Sequence, residues 1–201
     1  MSNSVAPAVA ATAVDARRTA LMRAQISLYV AAAGALGLAA MVFVPASADD
    51  GPFHHIGDYV LTALGFPFLL PLLALLPALR ALQQRRDGEL GRAGIIATSV
   101  GALVLVGMFV YGLIAATGSP LGPTYVIASV VTIVGVILFA AGSWRARLLP
   151  RWLLVAWPVT FTIGGTLPML PPSVVLLAAV YIAIAVVLPR RLAAAGQPAA
   201  N

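Results

Sequence analysis

Five residues that could bind a metal ion or carry out acid–base chemistry lie close together in one short segment. They are Asp49, Asp50, His54, His55 and Asp58. Carboxylates and imidazoles are ligands for divalent transition metals, and both groups serve as general acids and bases. If a helix begins early enough in this segment, His54 and Asp58 stand four residues apart on one of its faces. The segment is therefore a candidate metal or catalytic site.

The same segment also has a purely structural interpretation, which we favour. Asp58 follows Gly57 and precedes an apolar run, so it is placed to cap a helix, while Tyr59 suits a membrane interface. The other four residues then form a solvated loop. The chain has no cysteine, which excludes disulfides and thiolate metal sites. It also lacks a phosphate-binding glycine loop, a zinc-protease helix signature and a serine nucleophile elbow, so no cofactor is predicted.

The elements that must position these residues are membrane-spanning helices. Hydrophobic residues make up 61% of the 201 residues, and charged residues make up only 9%. Soluble domains typically carry about 25% charged residues, because water must be met by a polar surface. The composition therefore predicts an all-α fold, a polytopic transmembrane helix bundle in contact with the lipid bilayer.

Six apolar runs are candidates for spans. They cover about 26–44, 58–82, 94–117, 124–143, 152–170 and 173–188. A span needs about 20 apolar residues, which the first five runs provide. The sixth is short, but Pro171 and Pro172 can occupy the first turn of its helix, and the helix can run past Pro189. Residues 1–22 and 193–201 are predicted to be disordered tails.

The distribution of positive charge predicts the topology. The chain has twelve arginines and no lysine, and every arginine lies beside the same ends of the predicted spans. The loops between spans one and two, three and four, and five and six contain none. Because basic residues are retained on the cytoplasmic side, both termini are predicted to lie in the cytoplasm, with the chain in a bacterial inner membrane. The charge is a topology signal, so no nucleic-acid partner is predicted.

The amino terminus allows one alternative. Ala46-Ser47-Ala48 before Asp49 resembles the cleavage site of a signal peptide. The preceding apolar run has about 19 residues, whereas such peptides usually have 7–15. We therefore expect the first span to be retained; cleavage would leave five spans.

Spans two and five contain helix-disrupting residues that suggest a second candidate site. If spans one to three and four to six are inverted halves, spans two and five correspond, and paired broken helices mark transporter sites at the membrane midplane. The residues of this hypothetical ligand site are Pro67, Pro71, Pro158, Thr162, Gly164 and Gly165. The two halves show no residue-level similarity, so we favour ordinary helix packing. Small residues four apart, such as Ala33 and Gly37, would support such packing.

One connection resembles that of a known group of proteins. The stretch from Gly142 to Trp152 reads GSWRARLLPRW. It resembles a connection in small uncharacterised integral membrane proteins of actinobacteria, where a span ends in an arginine pair and an LPRW-like turn opens the next. The resemblance covers mostly the second half of the chain. It implies six helices and no activity, and it assigns no functional residue.

These observations favour a non-catalytic membrane component. No charged residue or histidine lies deep within a predicted span, whereas proton-coupled carriers and voltage sensors keep such groups there. The protein is therefore expected to be permease-like, efflux-related or a subunit that binds another membrane protein or a second copy of itself. The alternative is a membrane-embedded enzyme that acts on a lipophilic substrate through the outer Asp/His segment.

Overall fold

A computed structural model of the chain describes residues 5–45, 51–118, 122–166 and 171–196. Six α-helices account for nearly all of these residues, and a short 3-10 turn, Met41–Phe43, follows the first helix. The helices are α1 (Val5–Ala40), α2 (Ile56–Leu82), α3 (Gly88–Ala115), α4 (Gly122–Ala146), α5 (Arg151–Thr166) and α6 (Pro171–Gly196). The predicted all-α fold is confirmed.

Five of the six helices are long and apolar enough to cross a membrane, and α5 is the exception. Its 16 described residues extend for about 24 Å at 1.5 Å per residue, which is shorter than the roughly 30 Å of a hydrocarbon core. The fifth span was predicted over 152–170, and residues 167–170 lie outside the described part of the chain.

Both predicted tails differ from the structure. Residues 1–22 were predicted to be disordered, but α1 is helical from Val5, and α6 continues to Gly196 within the other predicted tail. Both segments are rich in alanine, the strongest helix former, so the helices extend beyond the apolar stretches that mark the spans. Pro171 begins α6 and Pro189 lies inside it, as predicted for the sixth span.

The helices form a closed ring. Each packs against its neighbour in sequence, and α6 packs against α1. Two aromatic contacts fill the interior. The rings of Phe68 in α2 and Phe161 in α5 are parallel, with centroids 5.7 Å apart, and the Trp157 ring of α5 meets that of Tyr181 edge-on at 6.5 Å. Helices α2 and α5 therefore face each other across the middle of the ring.

Hydrogen bonds between connections define the two ends of the bundle. Phe53 N–H donates to Ala116 O at 2.8 Å, which ties the α1–α2 connection to the α3–α4 connection. At the other end, Gln83 Nε2 donates to Ser143 Oγ at 3.0 Å and joins the α2–α3 turn to the last turn of α4. All twelve arginines lie toward this second end, which we call the arginine end. The first is called the arginine-free end.

Candidate functional site

The Asp/His segment is arranged as a helix cap. The backbone N–H groups of His54 and His55 donate to Asp58 Oδ2 at 2.8 and 2.9 Å. Asp58 N–H donates in return to His55 O at 3.0 Å. The Asp58 side chain is buried, whereas His54 and His55 are exposed. The Asp58 carboxylate therefore closes the first turn of α2, as the structural interpretation of this segment requires.

The metal site proposed for this segment stays a prediction. Of its five residues, Asp49 and Asp50 lie outside the described part of the chain. Among the residues that the structure describes, no group of three or more histidine, aspartate or glutamate side chains is close enough to hold a metal ion. The Asp58 carboxylate binds backbone groups, and the His55 side chain accepts from Asp58 N–H in the same capping box.

The segment is also held against its neighbours. Thr117 Oγ1 donates to Gly51 O at 3.2 Å, and the Phe53 ring meets the Tyr59 ring edge-on with centroids 4.8 Å apart. A side chain at Gly57 would collide with Pro45 O. Residues 51–55 thus pack over the arginine-free end of α2.

The hypothetical ligand site required α2 and α5 to be broken, but both helices are continuous over the described residues. Helix α2 continues through Pro67, Pro71 and Pro77, and α5 continues through Pro158. Each proline removes a single backbone donor, and the remaining hydrogen bonds and the packing of the bundle hold the helix together. The described residues show no unwound backbone at these prolines, and the midplane ligand site stays a prediction.

The α5 threonines bond to their own helix. Thr162 Oγ1 donates to Pro158 O at 2.7 Å, and Thr160 Oγ1 donates to Ala156 O at 2.7 Å. Neither of these acceptors is the carbonyl of Leu154, which is the one that Pro158 leaves without its usual donor. Such bonds satisfy the two hydroxyl groups within α5, and they often bend a helix slightly.

A cavity of about 250 Å³ lies inside the ring, in the half toward the arginine-free end. Its lining combines aromatic rings, aliphatic side chains, three glycines and four hydroxyl groups from α1 to α5. The lining residues are Leu38, Leu61, Thr62, Gly65, Phe68, Leu69, Leu105, Phe109, Tyr125, Ser129, Thr132, Ile133, Phe161, Gly164 and Gly165. None of them is charged.

Two of the six residues of the predicted ligand site line this cavity. They are Gly164 and Gly165; the other four are absent from its lining. Pro67 and Pro71 instead border a shallow groove between α1 and α2 on the outside of the ring. The structure thus brings the α5 glycines to an internal space and leaves the prolines elsewhere.

The glycines of the lining play two different parts. A Cβ atom at Gly165 would meet no atom within 4 Å, and a Cβ atom at Gly65 would collide with the Phe109 ring. Toward the arginine end the interior is filled, because Trp157 and Tyr181 are fully buried and Phe139 packs edge-on against Trp157 at 6.2 Å. The cavity therefore ends at a layer of packed aromatic rings.

The chemistry of the cavity is that of an apolar site with a few hydroxyl groups. Thr62 Oγ1 donates to Asp58 O and Thr132 Oγ1 donates to Ala128 O, each at 2.8 Å. Because both hydroxyl groups donate their protons in these bonds, only their lone pairs remain for a ligand in the cavity. Tyr125 and Ser129 supply the other two hydroxyl groups. Such a lining suits an uncharged, mainly apolar molecule with an occasional polar group.

Most residues of the cavity lining could not be predicted from the sequence. Phe109, Tyr125, Ser129 and Phe161 are ordinary residues of a membrane span, and no spacing distinguishes a side chain that lines a cavity from one that fills a core. The glycine pair Gly164 and Gly165 in α5 was the one feature of the sequence that drew attention to residues of this cavity.

No protein-family model matches the chain, and no curated protein or solved structure matches it either. The resemblance of the Gly142–Trp152 connection to actinobacterial membrane proteins accordingly stays a prediction.

Proposed function

We propose that the protein is a non-catalytic component of the bacterial inner membrane that binds a small, uncharged, mainly apolar molecule, in the manner of a permease-like or efflux-related protein. The observation that carries this proposal is the uncharged internal cavity of about 250 Å³. Apolar cavities of about 150 Å³ in proteins already hold benzene or xenon. The larger cavity accommodates a molecule with one or two rings.

The hydroxyl groups give the proposed site its selectivity. An apolar pocket with a few placed polar groups orients its ligand through those groups, while the apolar walls provide most of the binding free energy. Tyr125 and Ser129 project from α4, and the stacked Phe68 and Phe161 rings offer a flat apolar wall from α2 and α5. A planar molecule with a single hydrogen-bonding group fits this arrangement.

The enzyme alternative has less support. Asp58, the most buried of the described residues of the outer Asp/His segment, already accepts hydrogen bonds from the backbone N–H groups of His54 and His55. The cavity lining contains no histidine or carboxylate that could transfer a proton. Passage of a bound molecule toward the arginine end would require the aromatic layer around Trp157 to move, and α5 carries that residue.

A photoreactive apolar probe tests the proposal. The full chain in mixed micelles is labelled with a phenyl-diazirine compound, and the crosslinked peptides are located by mass spectrometry. We expect saturable labelling of the segments around Phe109 and Phe161, and its loss in Gly165→Leu, whose side chain enters the cavity.

The matched control is Gly107→Leu. A Cβ atom at Gly107 also meets nothing within 4 Å, but this residue is exposed on the outside of α3. Both changes replace glycine within a helix and should be tolerated. Labelling that does not saturate, or that survives in Gly165→Leu, would contradict the proposed binding function.

The proposed orientation places both termini and the arginine end in the cytoplasm. The positive-inside rule supports this, since every arginine lies toward one end. Because the chain lacks cysteine, a thiol reagent can label only the single cysteine that is introduced. His54→Cys should react in intact cells with an impermeant maleimide, whereas Gln84→Cys should react only after lysis. Labelling of Gln84→Cys in intact cells would reverse the orientation.

A further inference from the structure

Four arginines from separate parts of the chain surround a second pocket, of about 490 Å³, at the arginine end. Arg17 belongs to α1, Arg86 to the α2–α3 turn, Arg147 to the connection after α4, and Arg191 to α6. No acidic residue lines this pocket. We call it the arginine pocket.

The positive charge of this pocket is not neutralised by ion pairs within the described residues. The two ion pairs found there join Arg80 to Asp87 and Arg92 to Glu89, and none of these four residues lines the arginine pocket. Like charges held around one space repel each other, so the arrangement is more stable with an anion present.

The backbone around the pocket is held in place. Gln83 and Ser143 are both buried, and their side chains form a hydrogen bond of 3.0 Å between the ends of α2 and α4. Gln84 and Arg147 adopt left-handed backbone conformations, with φ of 53° and 56°. Such conformations are uncommon for residues other than glycine, and here they turn the chain sharply at the pocket.

The positive-inside rule does not explain this convergence. That rule needs arginines near the ends of spans, but it does not need four of them to line one pocket. We propose that the arginine pocket binds a phosphate group, carried either by an anionic lipid headgroup or by a soluble phosphate compound. Guanidinium groups donate paired hydrogen bonds to phosphate oxygens, and basic pockets between membrane helices suit such headgroups. The site lies at the opposite end from the cavity and is independent of the proposed function.

Binding to the full chain in an uncharged detergent tests this proposal. The probes are dihexanoyl phosphatidylglycerol, inorganic phosphate, and dihexanoylglycerol, which has the same acyl chains but no phosphate. We expect R147Q/R191Q to weaken phosphatidylglycerol binding about tenfold or more. The control R145Q/R190Q removes the same charge from neighbouring arginines outside the pocket lining, and it should change binding less than about twofold.

The outcomes separate the sources of the phosphate. Tenfold tighter binding of phosphatidylglycerol than of inorganic phosphate assigns the site to a lipid headgroup, and comparable affinities assign it to a soluble phosphate compound; both uphold the phosphate site. Equal losses in the two double variants would overturn it, because they would indicate a diffuse effect of net charge. Equal binding of dihexanoylglycerol would overturn it as well. If R147Q/R191Q does not fold, Arg17→Gln compared with Arg18→Gln makes the same test on α1.

Discussion

The Nε atom of Arg80 lies 3.5 Å from Oδ2 of Asp87, whose side chain is completely buried. Neither carboxylate oxygen of Asp87 accepts a hydrogen bond from the described residues, so Arg80 provides its main electrostatic compensation there. Gly91 makes room for this carboxylate, because a Cβ atom at Gly91 would collide with it. A buried ion pair thus closes the bundle where α2 turns into α3.

Removing one partner of this pair should destabilise the protein markedly. Asp87→Ala leaves the Arg80 charge partly buried without its partner, and breaking a buried pair typically costs about 3 kcal/mol or more. We expect a loss of roughly 3 kcal/mol in the free energy of unfolding, because Arg80 is 22% exposed and regains some hydration. Unfolding in mixed SDS and dodecyl maltoside micelles, followed by tryptophan fluorescence, measures it.

The double variant Arg80→Leu/Asp87→Ala provides the control for that loss. It removes both charges, so it should be less destabilised than the sum of the two single changes. Additive losses would show that Asp87 and Arg80 do not interact, and that packing alone explains the effect of Asp87→Ala.

Glycines set the close approach of α3 and α4, which gives a second prediction. A Cβ atom at Gly101 would lie 2.6 Å from Ala128 O, whereas one at Gly107 on the same helix would meet nothing within 4 Å. Gly101→Ala should therefore lower the free energy of unfolding by about 1–3 kcal/mol through overpacking. Gly107→Ala should leave it unchanged or raise it by up to about 1 kcal/mol. Equal effects of the two changes, in the same unfolding assay, would rule out a backbone contact at Gly101.

The helices could be predicted from the sequence because a hydrocarbon environment imposes long apolar runs. The arginines likewise revealed which helix ends lie together. The residues at which the helices begin could not be predicted. The alanine-rich segment after Val5 is helical although it lies outside the apolar run, and apolar character does not indicate where such a helix begins.

The packing of the helices was harder to predict. The sequence suggested packing through small residues four apart. Helices α3 and α4 instead meet through Gly94 and Gly101, which are seven apart; Gly94 approaches Gly135, and Gly101 approaches Ala128. Of the residues that the sequence suggested for a ligand site, only Gly164 and Gly165 line the cavity. Whether Phe109 or Phe161 fills a core or lines a space depends on side chains from several helices, and no local pattern records that.

The first helix belongs to the ring, which bears on the alternative of cleavage after Ala48. Leu28, Ala31 and Ala35 of α1 are completely buried. Removing α1 would expose the faces of α2 and α6 that pack against it. We therefore expect the intact mass of the purified protein to include the bond between Ala48 and Asp49. A mature chain that begins at Asp49 would contradict the six-helix ring.

The last prediction separates the helix cap from a metal site in the outer loop. The Asp58 carboxylate accepts backbone N–H groups of His54 and His55, so it needs neither imidazole. Replacing His54 by alanine should change the free energy of unfolding by less than about 0.5 kcal/mol, because its imidazole is exposed. Replacing His55 as well should lower it by up to about 1 kcal/mol, because the His55 side chain belongs to the capping box. Asp58→Ala should lower it by about 1 kcal/mol, the usual cost of a lost cap.

Metal dependence makes this test decisive. A metal held by these residues would raise stability by about 2.7 kcal/mol at a hundredfold excess over its dissociation constant. We expect zinc and EDTA to give the same melting temperature within a degree or two, both in wild type and in His54→Ala/His55→Ala. Asp58→Asn separates the roles further, because an amide oxygen can still accept a backbone N–H group and cap the helix. If zinc raised the melting temperature of wild type but not of the double histidine variant, the loop would be a metal site and the enzyme alternative would take precedence.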